Sequence, residues 1–360
     1  EMKLIYKIAL FGAGACALVS LYLFITGDIA NSGIPLVGFF ILLALGFKGS
    51  SSLSGFSFTV LIFAAVSISL YYPAPFIQIG SFKMNTLIVP LLQIIMFGMG
   101  TAMSIADFYG IIKMPKGVII GVICQFLFMP LIGFILASLF QFPPEIAAGV
   151  VLIGSSPSGL ASNVMAYLAK ANVALSVTLT AVATCLAPIM TPLMMKLYAG
   201  AFVPIEFWSM MLSIIKIVII PITLGLVFNH LFHGKTPWLD KLLPKVSMVA
   251  IGLIITVITA SGRDNLLSIG ILLILTAIIH NLLGYFLGYW SCRLIKMKEQ
   301  DCRTIALEVG MQNGGLASGI ALEMGKVATI GLAPAVFGPW MNISGSSLAT
   351  WWRNKKIKTS

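Results

Sequence analysis

The sequence predicts an all-α polytopic membrane protein, on three observations. Of its 360 residues, 59% are hydrophobic and 9% charged, with a mean hydropathy of +1.04, and such a chain has too little polar surface to cover a water-soluble fold. Apolar runs such as Leu267 to Tyr289 are long and nearly unbroken. The strands of a membrane barrel would instead alternate in polarity over roughly 10 residues, so the spanning elements are helices. The 22 Lys and Arg gather on one side once the spans are drawn, as positively charged cytoplasmic loops do.

Stretches of about 17 to 25 apolar residues place spans at 5–26, 32–47, 56–73, 84–104, 116–140, 145–169, 172–197, 207–232, 245–262, 267–292, 303–325 and 328–352. The run at 8–26 follows Lys3 and Lys7 as a secretory signal would. It exceeds the usual h-region of about 7 to 15 residues, so it is read as a membrane helix. Glu1, ahead of Met2, reads as an expression remnant. The span at 32–47 is short enough to be re-entrant or tilted. Only Lys83, Lys196, Arg263 and Lys326 fall on the outer side; with Lys216 inside a span, every other Lys and Arg lies toward the cytoplasm. An even number of spans puts both termini there, in a bacterial inner membrane. The net charge of +11 is therefore topological, and nucleic acid is not an expected partner. Cys16, Cys124, Cys185, Cys292 and Cys302 show no metal or disulfide spacing and read as small buried hydrophobes.

An internal repeat follows. Gly154-Ser-Ser-Pro-Ser-Gly-Leu-Ala-Ser162 aligns without gaps on Gly310-Met-Gln-Asn-Gly-Gly-Leu-Ala-Ser318. Gly-Leu-Ala-Ser alone is a string that recurs by chance in membrane sequence. Yet both copies sit mid-span, both interrupt an apolar run with Gly, Ser, Pro or Asn, and the copies lie an odd number of helices apart. The halves would then cross the membrane in opposite senses. This divides the chain into extra N-terminal helices (1–55), a first five-helix repeat (56–200) and an inverted second repeat with a basic cytoplasmic tail (201–360).

Each break makes a physical demand. Pro157 removes a backbone donor and Gly159 loosens the helix, and Asn313-Gly-Gly315 does the same in the second copy. Backbone groups freed in hydrocarbon cost several kcal/mol each unless protein, ions or a watery cavity satisfies them. Half-helices meeting at mid-membrane present positive N-terminal amides and negative C-terminal carbonyls, so anion and cation sites arise together. A plain kink without ligand is the alternative. Among the acidic residues, Asp28, Asp107, Glu145, Glu206, Asp240, Asp264, Glu299 and Asp301 fall in loops or at span ends, and Glu323 near an outer end; Glu308 alone lies well inside a span. A carboxylate there marks a functional site unless it reaches water at the inner interface. Neutral oxygen ligands lie near it in the sequence: Ser162 and Asn163, Ser176 and Thr180 at i, i+4 on one helix face, and Gln312. One formal charge among hard oxygens suits a monovalent cation such as sodium, although any one Ser or Thr could equally be a packing residue.

These residues resemble a known family. Ser158-Gly-Leu-Ala-Ser-Asn-Val-Met-Ala-Tyr-Leu-Ala-Lys170, with Val173-Ala-Leu-Ser-Val177, Leu186-Ala-Pro188 and Glu308-Val-Gly-Met-Gln-Asn313, is similar to the signatures of bile acid:sodium symporters over about residues 56 to 352. The resemblance implies a core domain of crossed, discontinuous helices moving against a panel domain, with two sodium ions behind the crossing. By motif, one ion would use Ser162, Asn163, Ser176, Thr180 and Glu308. The other would use Gln125 of Cys124-Gln-Phe-Leu-Phe-Met-Pro130, Glu308, the Val309 and Met311 carbonyls and Gln312. The substrate, a small or amphipathic organic anion such as a bile acid or a pantoate-like acid, would meet Ser158, Gly159, Leu160, Asn313, Gly314 and Gly315. His280 and Asn281, opposite Gln125 in the repeat, either join that polar interior or form a satisfied structural pair. Leu160 stands where the family commonly has a hydroxyl near the substrate position, while the cation ligands implied by the resemblance are unchanged. The two extra N-terminal helices depart from the ten-helix pattern, with packing or a homodimer contact as candidate roles. Lys216 either pairs with a substrate carboxylate, snorkels, or bonds a helix carbonyl.

The function expected is sodium-coupled import. A proton-coupled or arsenite-type exporter of similar architecture could use the same carboxylate, but the Ser, Asn, Thr and Gln cluster favours a desolvated metal cation. A membrane enzyme with Ser158 or Ser162 as nucleophile and His280 as base would lack a nucleophile elbow or ready triad. A purely structural protein would leave Glu308 unexplained.

Overall fold

The computed structural model describes residues 3–50, 53–232 and 235–355. Glu1 and Met2, and Lys356 and Lys358 of the basic tail, lie outside the described residues. The chain is an integral membrane protein built of helices: among the described residues, nine are long and apolar enough to cross a bilayer. In chain order these are α1 (Leu4–Ile25), α2 (Ile29–Phe47), α3 (Ser54–Tyr71), α4 (Met84–Thr101) and α5 (Pro115–Leu139). The half-length α6 (Pro144–Gly154) and α7 (Leu160–Leu168) come next, followed by α8 (Val173–Tyr198), α9 (Phe207–Phe232), α10 (Pro237–Ser261) and α11 (Arg263–Leu294). The half-length α12 (Glu299–Gly310) and α13 (Gly314–Glu323) and a final α14 (Leu332–Arg353) complete the chain. A two-residue hairpin pairs Gln78–Ile79 with Phe82–Lys83 between α3 and α4, turning at Gly80 with φ +60.

Two sequence-derived spans, 145–169 and 303–325, are therefore each a pair of half-helices. The span expected to be short is instead an unbroken 19-residue helix, α2. It starts earlier because Asn31 Nδ2 closes onto the Asp28 carboxylate at 3.0 Å in the first turn. It docks on α3 through Ser32 Oγ and the Tyr71 hydroxyl at 2.9 Å, and on α1 through Ser20 Oγ, which donates to the Ser32 carbonyl. The extra N-terminal pair thus packs against α3. α10 begins at Pro237 rather than near 245, so Lys241 and Lys245 sit in its early turns. All five cysteines are free, but only Cys124, Cys292 and Cys302 are buried; Cys185 is exposed, because it lies on an outward face of α8.

Two turns are wider than α-helical, and proline explains both. In Cys124–Phe128 the Met129 N–H returns to the Cys124 carbonyl, and in Ile215–Ile219 the Ile220 N–H returns to the Ile215 carbonyl. Pro130 and Pro221 follow immediately. A proline ring collides with the carbonyl four residues back and offers it no hydrogen; opening the preceding turn into a π-bulge relieves the collision. The first bulge carries Gln125, the second Lys216, whose side chain is exposed.

Helices α4 and α9 touch backbone to backbone. A Cβ on Gly100 would stand 2.1 Å from the Ile222 carbonyl oxygen, and one on Gly225 would stand 2.2 Å from that of Phe97. Lipid is as apolar as any side chain, so association here depends on such close van der Waals packing. Gly225→Val is expected to destabilise the protein by about 1 to 3 kcal/mol, the usual cost of overpacking, read as a lower unfolding midpoint in detergent.

Candidate functional site

The two breaks meet each other. Ser158 and Gln312 form an isolated antiparallel bridge, and the Asn313 N–H donates to the Pro157 carbonyl at 2.8 Å. Each break thus supplies backbone partners to the other, in a setting where water cannot. The meeting brings the first turns of α7 and α13 together. Gly159 precedes α7 without a side-chain cap, and Asn313 caps α13 by accepting the Leu316 N–H at 3.0 Å. A Cβ on Gly159 would lie 3.7 Å from Asn313 Cα. The structure therefore gathers Ser158, Gly159, Leu160, Asn313, Gly314 and Gly315, all expected at the substrate, around two helix N-termini. Leu160 packs against the central apolar cluster. Gly315 faces Leu92 of α4, and Gly314 the Pro334 carbonyl of α14.

The opposite ends of the broken helices leave carbonyls, and side chains from neighbouring helices and from the second break itself cover them. Gln125 Nε2 donates to the Ser156 carbonyl at 2.5 Å, and Thr191 Oγ1 to that of Ser155 at 2.8 Å. Asn281 Nδ2 donates to the Gly310 carbonyl at 2.8 Å, and Gln312 Nε2 to that of Val309 at 2.7 Å. Asn281 Oδ1 in turn accepts from Ser344 and Trp340. His280 is fully buried with Nε2 3.1 Å from the Met129 carbonyl. The pair 280 and 281 thus supports backbone behind the breaks, because each ring or amide is occupied by a main-chain oxygen. Gln125 also bonds Gln312 Oε1, yet its own Oε1 is buried without a partner.

Glu308 occupies the centre. It is 1% exposed. Its Oε1 accepts from Ser176 at 2.6 Å, and its Oε2 from Ser158 at 2.5 Å and Thr180 at 2.8 Å. Asn163 Oδ1 stands 2.7 Å from the Ser176 hydroxyl and 3.2 Å from that of Thr180. Ser162 donates to the Gly159 carbonyl at 2.6 Å and also lies in reach of the Glu308 carboxylate. Ser158 thus stands with the carboxylate as well as at the N-termini, since the bridge to Gln312 turns its hydroxyl that way. A hydroxyl has one hydrogen to donate, so Ser176 cannot serve both acceptors. Thr180 can serve Asn163 Oδ1 in its place, so the cluster groups hydroxyl and amide oxygens around one carboxylate. No group of three or more His, Cys, Asp and Glu gathers among the described residues; the donors here are one carboxylate, hydroxyls and amides.

Sequence reasoning missed Thr191, Trp340, Ser344 and Tyr285, which reach the break or its supports. Thr191 follows Thr180 and Thr184 on one face of α8 at helical spacing, a signal that was legible. Arg303, expected as a cytoplasmic surface charge, is instead 2% exposed, because helix ends close around it. Further along α13, a cavity of about 460 Å³ opens between α9 and α13, lined by Glu145, Ser209, Met210, Ser213, Ile320 and Glu323 among others.

Residues 89–269 match the profile described as Sodium Bile acid symporter family. The chain is 42% identical over 304 residues to an "Uncharacterized sodium-dependent transporter YocS" of Bacillus subtilis (strain 168), covering 84% of this chain and 92% of that one. It is 34% identical over 276 residues to the "Ileal sodium/bile acid cotransporter" of Homo sapiens, covering 73% and 78%. It is 30% identical over 302 residues to a "Probable sodium/metabolite cotransporter BASS1, chloroplastic" of Oryza sativa subsp. japonica, covering 82% and 72%. With such coverage, and with paired helix breaks around a buried carboxylate, the chain belongs to the sodium/bile acid symporter family.

Proposed function

We propose that the chain is a sodium-coupled secondary transporter that imports a small or amphipathic organic anion, a bile acid or pantoate-like acid, by alternating access. The buried Glu308 carboxylate, faced by Ser158, Ser176 and Thr180 with Asn163 Oδ1 among them, carries this reading. An unneutralised carboxylate at that depth is costly, and several hydroxyl and amide oxygens around it can coordinate one desolvated sodium ion together, whereas a proton occupies a single oxygen.

One co-transported ion is assigned to Ser162, Asn163, Ser176, Thr180 and Glu308. The other is assigned to Gln125, Glu308, the Val309 and Met311 carbonyls and Gln312, with Glu308 shared. The unpartnered Gln125 Oε1 supports the second, since a cation would satisfy an acceptor that no donor reaches. The names of the relatives, a sodium-dependent transporter, a sodium/bile acid and a sodium/metabolite cotransporter, support sodium coupling and an organic anion.

Charge gives the order of events. Sodium neutralises Glu308 and fixes the meeting of the breaks; the N-terminal amides at Ser158 to Leu160 and Asn313 to Gly315 then accept an anionic head group. The loaded helices rock against a panel of α3, α4, α9 and α10. Each net positive charge carried inward gains about 2.3 kcal/mol per 100 mV of inside-negative potential. Inverted repeats at 56–200 and 201–360, behind an extra pair at 1–55, are part of the proposal. In support, Gln125 and Asn281 stand at matching repeat positions, and each donates its amide to a carbonyl at the end of the broken helix in its own half. Both termini are placed in the cytoplasm of a bacterial inner membrane.

In proteoliposomes, an inward sodium gradient should drive uptake of the bile acid or pantoate-like acid; equal uptake when potassium replaces sodium removes the coupling. Saturating sodium should raise the unfolding midpoint of the parent, since binding at 100 times Kd adds about 2.7 kcal/mol. Glu308→Gln should abolish that rise, and retention of it would place the ions elsewhere. Asn281→Leu strands the Gly310 carbonyl and should cost about 1 to 3 kcal/mol, visible as a lower midpoint with or without sodium.

A further inference from the structure

The helices that carry the Glu308 cluster are tied together once more, at their ends away from the breaks. Arg303, on α12 and five residues before Glu308, is 2% exposed. Its Nη1 donates to the Ala169 carbonyl at the end of α7 and to the Trp352 carbonyl in the last turn of α14, each at 3.1 Å. Its Nε donates to Glu299 at 3.0 Å, and the guanidinium lies 5.7 Å from the centre of the Trp352 ring. Two helix C-termini with partial negative charge thus converge on one cation. Glu299 is held in turn by the Tyr289 hydroxyl of α11 at 2.8 Å.

Thr304 extends the junction to α8. Its Oγ1 accepts the Asn172 N–H at 2.9 Å and lies 3.0 Å from the Asn172 carbonyl. Asn172 is the N-cap of α8: its Oδ1 accepts the Leu175 N–H at 3.1 Å, while its Nδ2 donates to Asp301 at 2.7 Å. Helical spacing sets the consequence. Thr304 precedes Glu308 by four residues and Asn172 precedes Ser176 by four, so this contact repeats, about 6 Å away along the helices, the contact between Glu308 and Ser176. On the outer side the comparable link between core helices is Lys326 to Glu145, 47% and 33% exposed, a surface pair that water screens.

We propose that Arg303 and Thr304 are positioning residues for the sodium site: with Asn172 they fix α7, α8 and α12 in the relative placement that lets Asn163, Ser176, Thr180 and Glu308 converge on an ion. This rests on the assignment of sodium to the Glu308 cluster. Ion affinity depends on holding ligand oxygens to fractions of an ångström, and losing a partner of a ligand typically costs roughly 10- to 100-fold in metal affinity; Asn172, whose carbonyl accepts the Ser176 N–H at 3.0 Å, connects Thr304 to that ligand. None of these residues touches the N-termini of α7 and α13, so the effect should fall on sodium.

The test is a sodium chloride titration of thermal unfolding on the full chain in detergent, with choline chloride holding ionic strength. Thr304→Val is expected to raise the half-saturating sodium concentration roughly 10- to 100-fold, with only a small drop in the sodium-free midpoint because the Asn172 N–H keeps the Gln300 carbonyl, at 3.3 Å, as an acceptor. Thr304→Ser, which keeps the hydroxyl, should stay near the parent. Arg303→Lys, which keeps the charge and loses the two-carbonyl fork, should fall between the parent and Arg303→Met. A lower sodium-free midpoint in Thr304→Val with unchanged half-saturation means a structural role and overturns the proposal, as does an equal shift in Thr304→Ser. If Arg303→Met does not fold, the threonine pair decides. A parent midpoint indifferent to sodium overturns both the sodium assignment and this inference, whereas a responsive parent with indifferent variants overturns this inference alone.

Discussion

Every part of this structure depends on the requirement that backbone polar groups buried in hydrocarbon find partners inside the protein. Two helices stop short in mid-membrane, which alone would strand carbonyls and amides at four helix ends. The chain answers by placing the breaks against each other, with the Ser158 to Gln312 bridge and the Asn313 to Pro157 hydrogen bond as the direct link. Neither break is tenable without the other, so the crossing is a cooperative unit rather than two local kinks.

The remaining carbonyls are shared among Gln125, Thr191 and Asn281, which reach across from other helices, and Gln312, which bonds three residues back within its own break. The same break that these groups support places Ser158 on Glu308, and the buried Gln125 Oε1 is left without a donor. The π-bulge that Pro130 imposes on α5 contributes by turning Gln125 toward the breaks, so a helix defect serves the site instead of weakening the span.

Rigidity is unevenly distributed around this centre. The ends of α7, α8, α12 and α14 away from the breaks are joined by the buried Arg303 and by Thr304 with Asn172. Toward the opposite side, α9 and α13 separate around a cavity of about 460 Å³, with Ser213 and Glu323 in contact across it at 3.1 Å. The helices around Glu308 are thus held tightly at one end and spaced from α9 at the other.

The sequence by itself determined the lipid solvent, the helical class, the position of nearly every span and the two breaks, because hydropathy and the residues Pro157, Gly159 and Asn313 act through the local chain. It also singled out Glu308, since a carboxylate in an apolar run is conspicuous without any contact map. Tertiary structure decided what those features touch. That Ser158 turns to Glu308, that His280 and Asn281 support carbonyls, that Thr191 reaches Ser155, and that Arg303 is buried between two helix ends all depend on contacts across many residues of sequence. The physical reason is the same for each: a polar side chain's partner in a membrane protein is fixed by which helices pack together, and periodicity in one helix carries no record of its neighbours.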